Sequence, residues 1–363
     1  MPYLPPGPLT LGALAELLAS DEPVRLAPGA DWPLAPAAGP AAGPDLLLAC
    51  ATGLGPELPA GLVRRLLLLK AAELSQAPPG ATPAAVRRLL DFFSRDVWPV
   101  VHTLGARSDQ AALAHLCLPL VGLGEVNYQG YRLAAADVLG LFGWEPLPLP
   151  APAEALALLS GQAFTLAYAT EALARAEALG RAATHLAPLL PGTVPTLGAL
   201  PASRQLIEAT LLAPPRPAQL HANPTPTPEL LSALGQLAQA VAALATDAAR
   251  RLGQLVAGRP APAAGYSWQA LPQAAASLAD TLPRARAASA NGAAAEALRT
   301  VEIAEQLLGL ELLAAAWQPA ASGAAEPAAL VTFRAHATFV GPGQLLAPAL
   351  ERAARFVREY AWA

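Results

Sequence analysis

Along most of the chain, apolar residues recur at the spacing of one helix face, and proline and glycine mark the gaps between these runs. Leu11, Leu14, Leu17 and Leu18 form a first stripe, with Thr10 placed to cap it. The pattern resumes at Asp45 and is strongest over 62–74, where Arg64, Arg65, Lys70 and Glu73 are expected on the wetter side. Pro78-Pro79-Gly80 stops it, and Thr82-Pro83 supplies a cap and a first-turn proline for a helix over 84–93. A turn at Gly105–Asp109 leads into the apolar run 111–124, predicted as a buried helix capped by Asp109 or Ser108. Asn127 to Leu133 reads as a compact hairpin-like turn before a helix at 134–142.

The connector Glu145-Pro146-Leu147-Pro148-Leu149-Pro150 is stiffened by proline and divides the chain into an N-terminal helical region, 1–150, and a second part, 151–363. In that second part the periodicity predicts long helices over 154–185, 203–212, 229–257, 267–280 and 293–317, and a last one over 345–360. This is the pattern of a long-helix bundle. The stretch 27–44 is almost entirely Ala, Pro and Gly around Trp32 and reads as an extended or mobile loop.

Composition supports an all-α fold. Hydrophobic residues make up 54% of the 363 and charged residues 14%, enough apolar material for a large core, while aromatic residues are 5%. A net charge of −4 leaves no basic footprint for nucleic acid. Cys50 and Cys117 are too few for a disulfide framework and lie outside metal-ligand spacing, which fits a reducing cytoplasm. The proline-rich start lacks the basic region of a signal peptide. The apolar run 230–246 carries Ser232, Gln236 and Gln239 and suits a buried bundle helix better than a membrane span.

Leu66 to Leu74 followed by Gly80, then Trp98-Pro99, Gly105-Ala106, Asp109 and Leu113-Ala114-His115 occur in a distinctive order. They are followed by Gly122-Leu123-Gly124-Glu125, Tyr128-Gln129-Gly130, Glu145-Pro146-Leu147 and Glu154 to Gly161. In this order the chain resembles the aromatic amino-acid lyases, the family of the histidine and phenylalanine ammonia-lyases. Glu302 to Ala316 is similar to that family's long core helix, whereas 186–290 is much shortened. The resemblance implies an all-α long-helix bundle like that of histidine ammonia-lyase and the aspartase–fumarase superfamily. It also implies an oligomer, either of this chain or with an active lyase paralogue, and an aromatic amino acid or aryl acid as ligand.

In that family the electrophile is made from an Ala-Ser-Gly tripeptide that cyclises and loses water to give a methylidene-imidazolone. The serine must lose its β-hydroxyl, and the glycine lets the backbone bend until its nitrogen reaches the alanine carbonyl. Here the tripeptide is Ala106-Arg107-Ser108, so the methylidene-imidazolone is not expected to form and no other cofactor is implied. Further family positions are degenerate as well. Ala49-Cys50 stands in place of a Ser-His pair, Ser160 in place of an asparagine, and the tyrosine loop has no counterpart. The sequence therefore points to a non-catalytic binding or structural subunit. Its alternatives are an active lyase on histidine, phenylalanine or tyrosine, and a small-molecule carboxylate binder using Arg107.

Other chemistry-bearing residues have structural readings. Asp109 and His115 stand six apart, off one helical face, and are expected to be a cap and a packed histidine rather than an acid–base pair. Cys50 is expected to be buried, and Glu302, Glu305 and Glu311 to lie on a solvated or salt-bridged face rather than to bind a metal.

Overall fold

The computed structural model describes residues 2–28, 43–104, 109–187, 197–214, 227–257, 266–283, 290–318, 327–336 and 344–362. The tripeptide Ala106-Arg107-Ser108 and most of the loop expected over 27–44 lie outside them. The chain forms two compact units: residues 1–170, 205–231 and 288–294, and residues 171–204, 232–287 and 295–363.

The first unit opens with β1 (Tyr3–Leu4), α1 (Leu11–Ala19) and β2 (Arg25–Leu26), the two strands pairing in parallel. Thr10 Oγ1 accepts the Ala13 amide at 3.1 Å, the predicted cap, and Leu11, Leu14 and Leu17 are buried. Next come α2 (Gly43–Cys50), β3 (Leu54–Glu57), α3 (Ala60–Ser75) and α4 (Pro83–Ser94). Thr82 caps α4 through the Ala85 amide, and Val86, Leu89, Leu90 and Phe93 supply its buried face at helical spacing.

β4 (Trp98–Pro99) and β5 (His102–Leu104) follow; β5 runs antiparallel to β3. The run 111–124 is shorter as a helix than its apolar pattern predicts. α5 (Asp109–Cys117) gives way to a 3-10 turn at Leu118–Val121, because Pro119 cannot donate to the helical ladder. β6 (Glu125–Tyr128) and β7 (Tyr131–Ala134) form the expected hairpin. Gln129 and Gly130 both have positive φ, 50° and 82°, as a two-residue hairpin turn requires. α6 (Ala135–Leu141) then leads to α7 (Pro152–Leu159) and α8 (Ala163–Leu186).

The continuous helix expected over 154–185 is thus two helices. They part at Ser160–Gln162, where Gly161 has φ +101°.

Beyond α8 the chain forms α9 (Leu200–Leu212), α10 (Pro228–Ala257), α11 (Tyr266–Asp280), α12 (Ala290–Trp317), α13 (Ala328–His336) and α14 (Ala347–Glu359). Only α13 was absent from the periodicity reading. α10 is long and apolar enough to cross a membrane by length and composition alone. However, Leu234, Leu237, Val241, Leu244 and Leu252 make one buried stripe, and Arg251 in that stripe is ion-paired to Glu311 of α12. α12 and α14 approach closely at Gly309, where a Cβ would sit 2.7 Å from the Ala354 nitrogen.

Candidate functional site

The residues that resemble a lyase site converge on the start of α8. Lys70, expected on a wet face, is 1% exposed. Its Nζ donates to the carbonyls of Ala157 at 2.9 Å and Ser160 at 2.6 Å, and to Glu73 Oε2 at 3.4 Å. The last carbonyls of a helix lack intrahelical partners and carry the negative end of its dipole, so the ammonium is well used at the end of α7. This is what makes burial of the charge tolerable, and the sequence pattern of α3 alone could not show it.

Glu73 faces the opposite pole. Its Oε1 accepts the Gln162 amide at 2.9 Å, and the carboxylate also takes the Ala163 amide at the start of α8. Gly161 makes that approach possible, since a Cβ there would lie 2.2 Å from Glu73 Oε2. Burial pushes the Glu73 carboxyl up, and Lys70 opposes that shift.

Asp109 corrects a second expectation. It is the first residue of α5, yet its side chain caps α8: Oδ2 accepts the Thr165 amide at 3.1 Å and Oδ1 accepts the Thr165 hydroxyl at 2.7 Å. Two carboxylates, from α3 and α5, thus satisfy the first-turn amides of a third helix.

Asp109 is 1% exposed, and burial pushes its carboxyl up to about 7 against the pull of the Thr165 bonds; the charge on Glu73 adds to the rise. A carboxyl raised in the folded state holds its proton where the unfolded chain, at about 3.9, has lost it. Its contribution to stability is therefore greatest in acid and falls as pH rises from about 4 to about 7. Asp109→Asn keeps an acceptor for the Thr165 amide and removes the titration. In urea unfolding across this window, the native protein should lose stability more steeply than the variant, by at most about 1.4 kcal/mol per pH unit.

His115 does not meet Asp109. Its Nε2 accepts the Gly53 amide at 3.0 Å, and its ring stands edge-on to His102 with centroids 5.3 Å apart. Burial and the neighbouring His102 hold His115 below its usual range, consistent with a neutral, packed imidazole. His102 Nδ1 donates to the Gly55 carbonyl at 2.9 Å. Cys50 is half-buried rather than fully buried, because it ends α2 just before this turn, and burial pushes its thiol up, which makes it a poor nucleophile. Cys117 is fully buried with its thiol pushed up to about 12. Ser160 turns its hydroxyl back to the Ala157 carbonyl at 3.1 Å.

The late glutamates divide. Glu302 and Glu305 pair with Arg175, as a salt-bridged face requires, but Glu311 is 0% exposed and bonds Arg251 in a two-point pair at 2.8 and 2.9 Å. Among the described residues, no cluster of three or more His, Cys, Asp or Glu side chains is placed to hold a metal ion.

The family model for aromatic amino acid lyases matches residues 31–192. Histidine ammonia-lyase of Chloroflexus aurantiacus is 40% identical over 142 residues, 38% of this chain and 27% of that protein. The histidine ammonia-lyase of Deinococcus radiodurans is 43% identical over 120 residues, 32% of this chain and 23% of that protein. The matched segments therefore span about a quarter of those relatives. In fold, the crystal structure of histidine ammonia-lyase from Trypanosoma cruzi aligns with a TM-score of 0.77 at 19% identity, over 99% of this chain and 94% of that one.

The fold is all-α, like that of the histidine ammonia-lyase structure. Over residues 31–192 the chain is similar to the aromatic amino acid lyases. The family's self-made electrophile can be tested against the residues at its position. They do not fit: Arg107 has no β-oxygen to lose, and Ser108 brings a side chain where cyclisation calls for glycine.

Proposed function

We propose that this chain is a non-catalytic member of the aromatic amino acid lyase family, acting as a binding or structural subunit in an assembly with copies of itself or with an active lyase paralogue. One observation carries the reading. The residue preceding Asp109 by two is arginine, while Asp109 holds Thr165 and Glu73 holds the Gln162 amide. A frame kept without its electrophile serves structure and not elimination of ammonia. The replacement of other family positions by Cys50 and Ser160, neither of which holds a reactive geometry, supports it.

Intact-mass spectrometry tests the reading. The purified chain is expected at its unmodified mass, with no ammonia released from histidine, phenylalanine or tyrosine. A mass short by two waters, with near-ultraviolet absorbance of a conjugated ring, would overturn it. Light scattering then separates the forms of assembly: an oligomer supports self-association, and a monomer that captures a full-length lyase supports the paralogue. A monomer that captures none removes the subunit role.

A further inference from the structure

A second cluster of polar side chains lies away from this hub, on the later part of α8. Glu177, Gly180, Arg181, Thr184 and His185 share one face of the helix by their spacing of three and four. They line an open cleft of about 430 Å³ closed on its other side by Leu197 and Leu200.

Gly180 lets that wall come close. A Cβ at this position would stand 3.3 Å from Leu197 Cδ1 and 3.6 Å from Leu200 Cδ1. The polar groups are not equivalent. Glu177 Oε1 is taken by Arg204 Nη1 at 2.8 Å, which neutralises it. Thr184 turns its hydroxyl to the Gly180 carbonyl at 2.9 Å, and the His185 ring packs toward Trp362 with centroids 6.0 Å apart. Arg181 is exposed and has no hydrogen-bond or ion-pair partner among the described residues. With Glu177 matched by Arg204, the cleft carries the uncompensated positive charge of Arg181 facing two leucines.

We propose that this cleft binds a small organic carboxylate, whose carboxylate pairs with Arg181 while its apolar body lies against Leu197 and Leu200. A guanidinium presents paired donors that match a carboxylate at two points. The volume suits a small molecule, with an apolar wall and few polar groups fixing its orientation. A bare inorganic anion would leave the leucine wall unused, and an apolar molecule without charge would leave the guanidinium unanswered.

Calorimetry with hexanoate on the full chain tests this, with hexanol and inorganic phosphate as comparisons. Hexanoate should bind saturably, and hexanol and phosphate about tenfold more weakly or not at all. Arg181→Gln, an exposed substitution checked for native circular dichroism, should remove the binding, and Leu200→Ala should weaken it several-fold. Arg107→Ala should leave it unchanged, which separates this site from the family's electrophile position. Absence of saturable hexanoate binding, equal binding by Arg181→Gln, or phosphate binding as tight as hexanoate would each overturn the proposal.

Discussion

Glu311→Leu is expected to destabilise the protein by about 3–5 kcal/mol, the cost of leaving a buried charge without its partner. Both members of the pair are 0% exposed, and Arg251 would keep a guanidinium inside an apolar stripe of α10. The informative comparison is Arg251→Met with Glu311→Leu. Removing both charges together should return stability to within about 1 kcal/mol of the native protein or above it, because desolvating two ions offsets much of their attraction. The pair is incompletely satisfied even as it stands, since Arg251 Nη1 has no hydrogen-bond partner. Burial also pushes the Glu311 carboxyl up to about 7, so ionising it costs stability as pH rises from about 4 to about 7. Urea unfolding of the two variants measures the difference. A loss under about 1 kcal/mol for Glu311→Leu would mean that water reaches Arg251.

The second large effect is expected at Lys70. Lys70→Met removes the cation that touches Glu73 and leaves the carbonyls of Ala157 and Ser160 without their donor. The expected cost is about 3–5 kcal/mol. Adding Glu73→Gln to Lys70→Met should recover part of the loss, because the side chain that abuts Gly161 keeps its shape and loses its charge. The carbonyls at the end of α7 stay unmatched, so recovery is incomplete. A double-mutant cycle on unfolding free energies gives the coupling directly; additive losses would show that the two side chains act separately.

Where the sequence was readable, the cause was local. Thr10 and Thr82 act on amides three residues away, and the Gln129-Gly130 turn is set by its own backbone, so each could be recognised in place. Where it misled, the cause lay far along the chain. Lys70 looks like a wet-face residue because the carbonyls that hold it are 87 and 90 residues later. Asp109 looks like the cap of its own helix because the amide it serves is 56 residues away. The break between α7 and α8 falls at Ser160-Gly161-Gln162, residues that a long helix tolerates, and the Glu73 side chain that abuts Gly161 lies on another helix. Glu311 was expected on a solvated or salt-bridged face; it is ion-paired but buried, because its partner Arg251 lies 60 residues earlier on α10. The expectation at Arg107 is different in kind: cyclisation would join adjacent residues, so it rests on three letters and is tested by the mass of the intact chain.

The start of α8 also bears on how the chain folds. A helix that caps itself can begin wherever its first turn forms, but the amides of Gln162, Ala163 and Thr165 wait for carboxylates that arrive from positions 73 and 109. Closing loops of this length precedes any return from the contacts that end them. The first turn of α8 is therefore expected to set after α3 and α5 have docked, so that the order of assembly, and not helix propensity alone, decides where that helix begins.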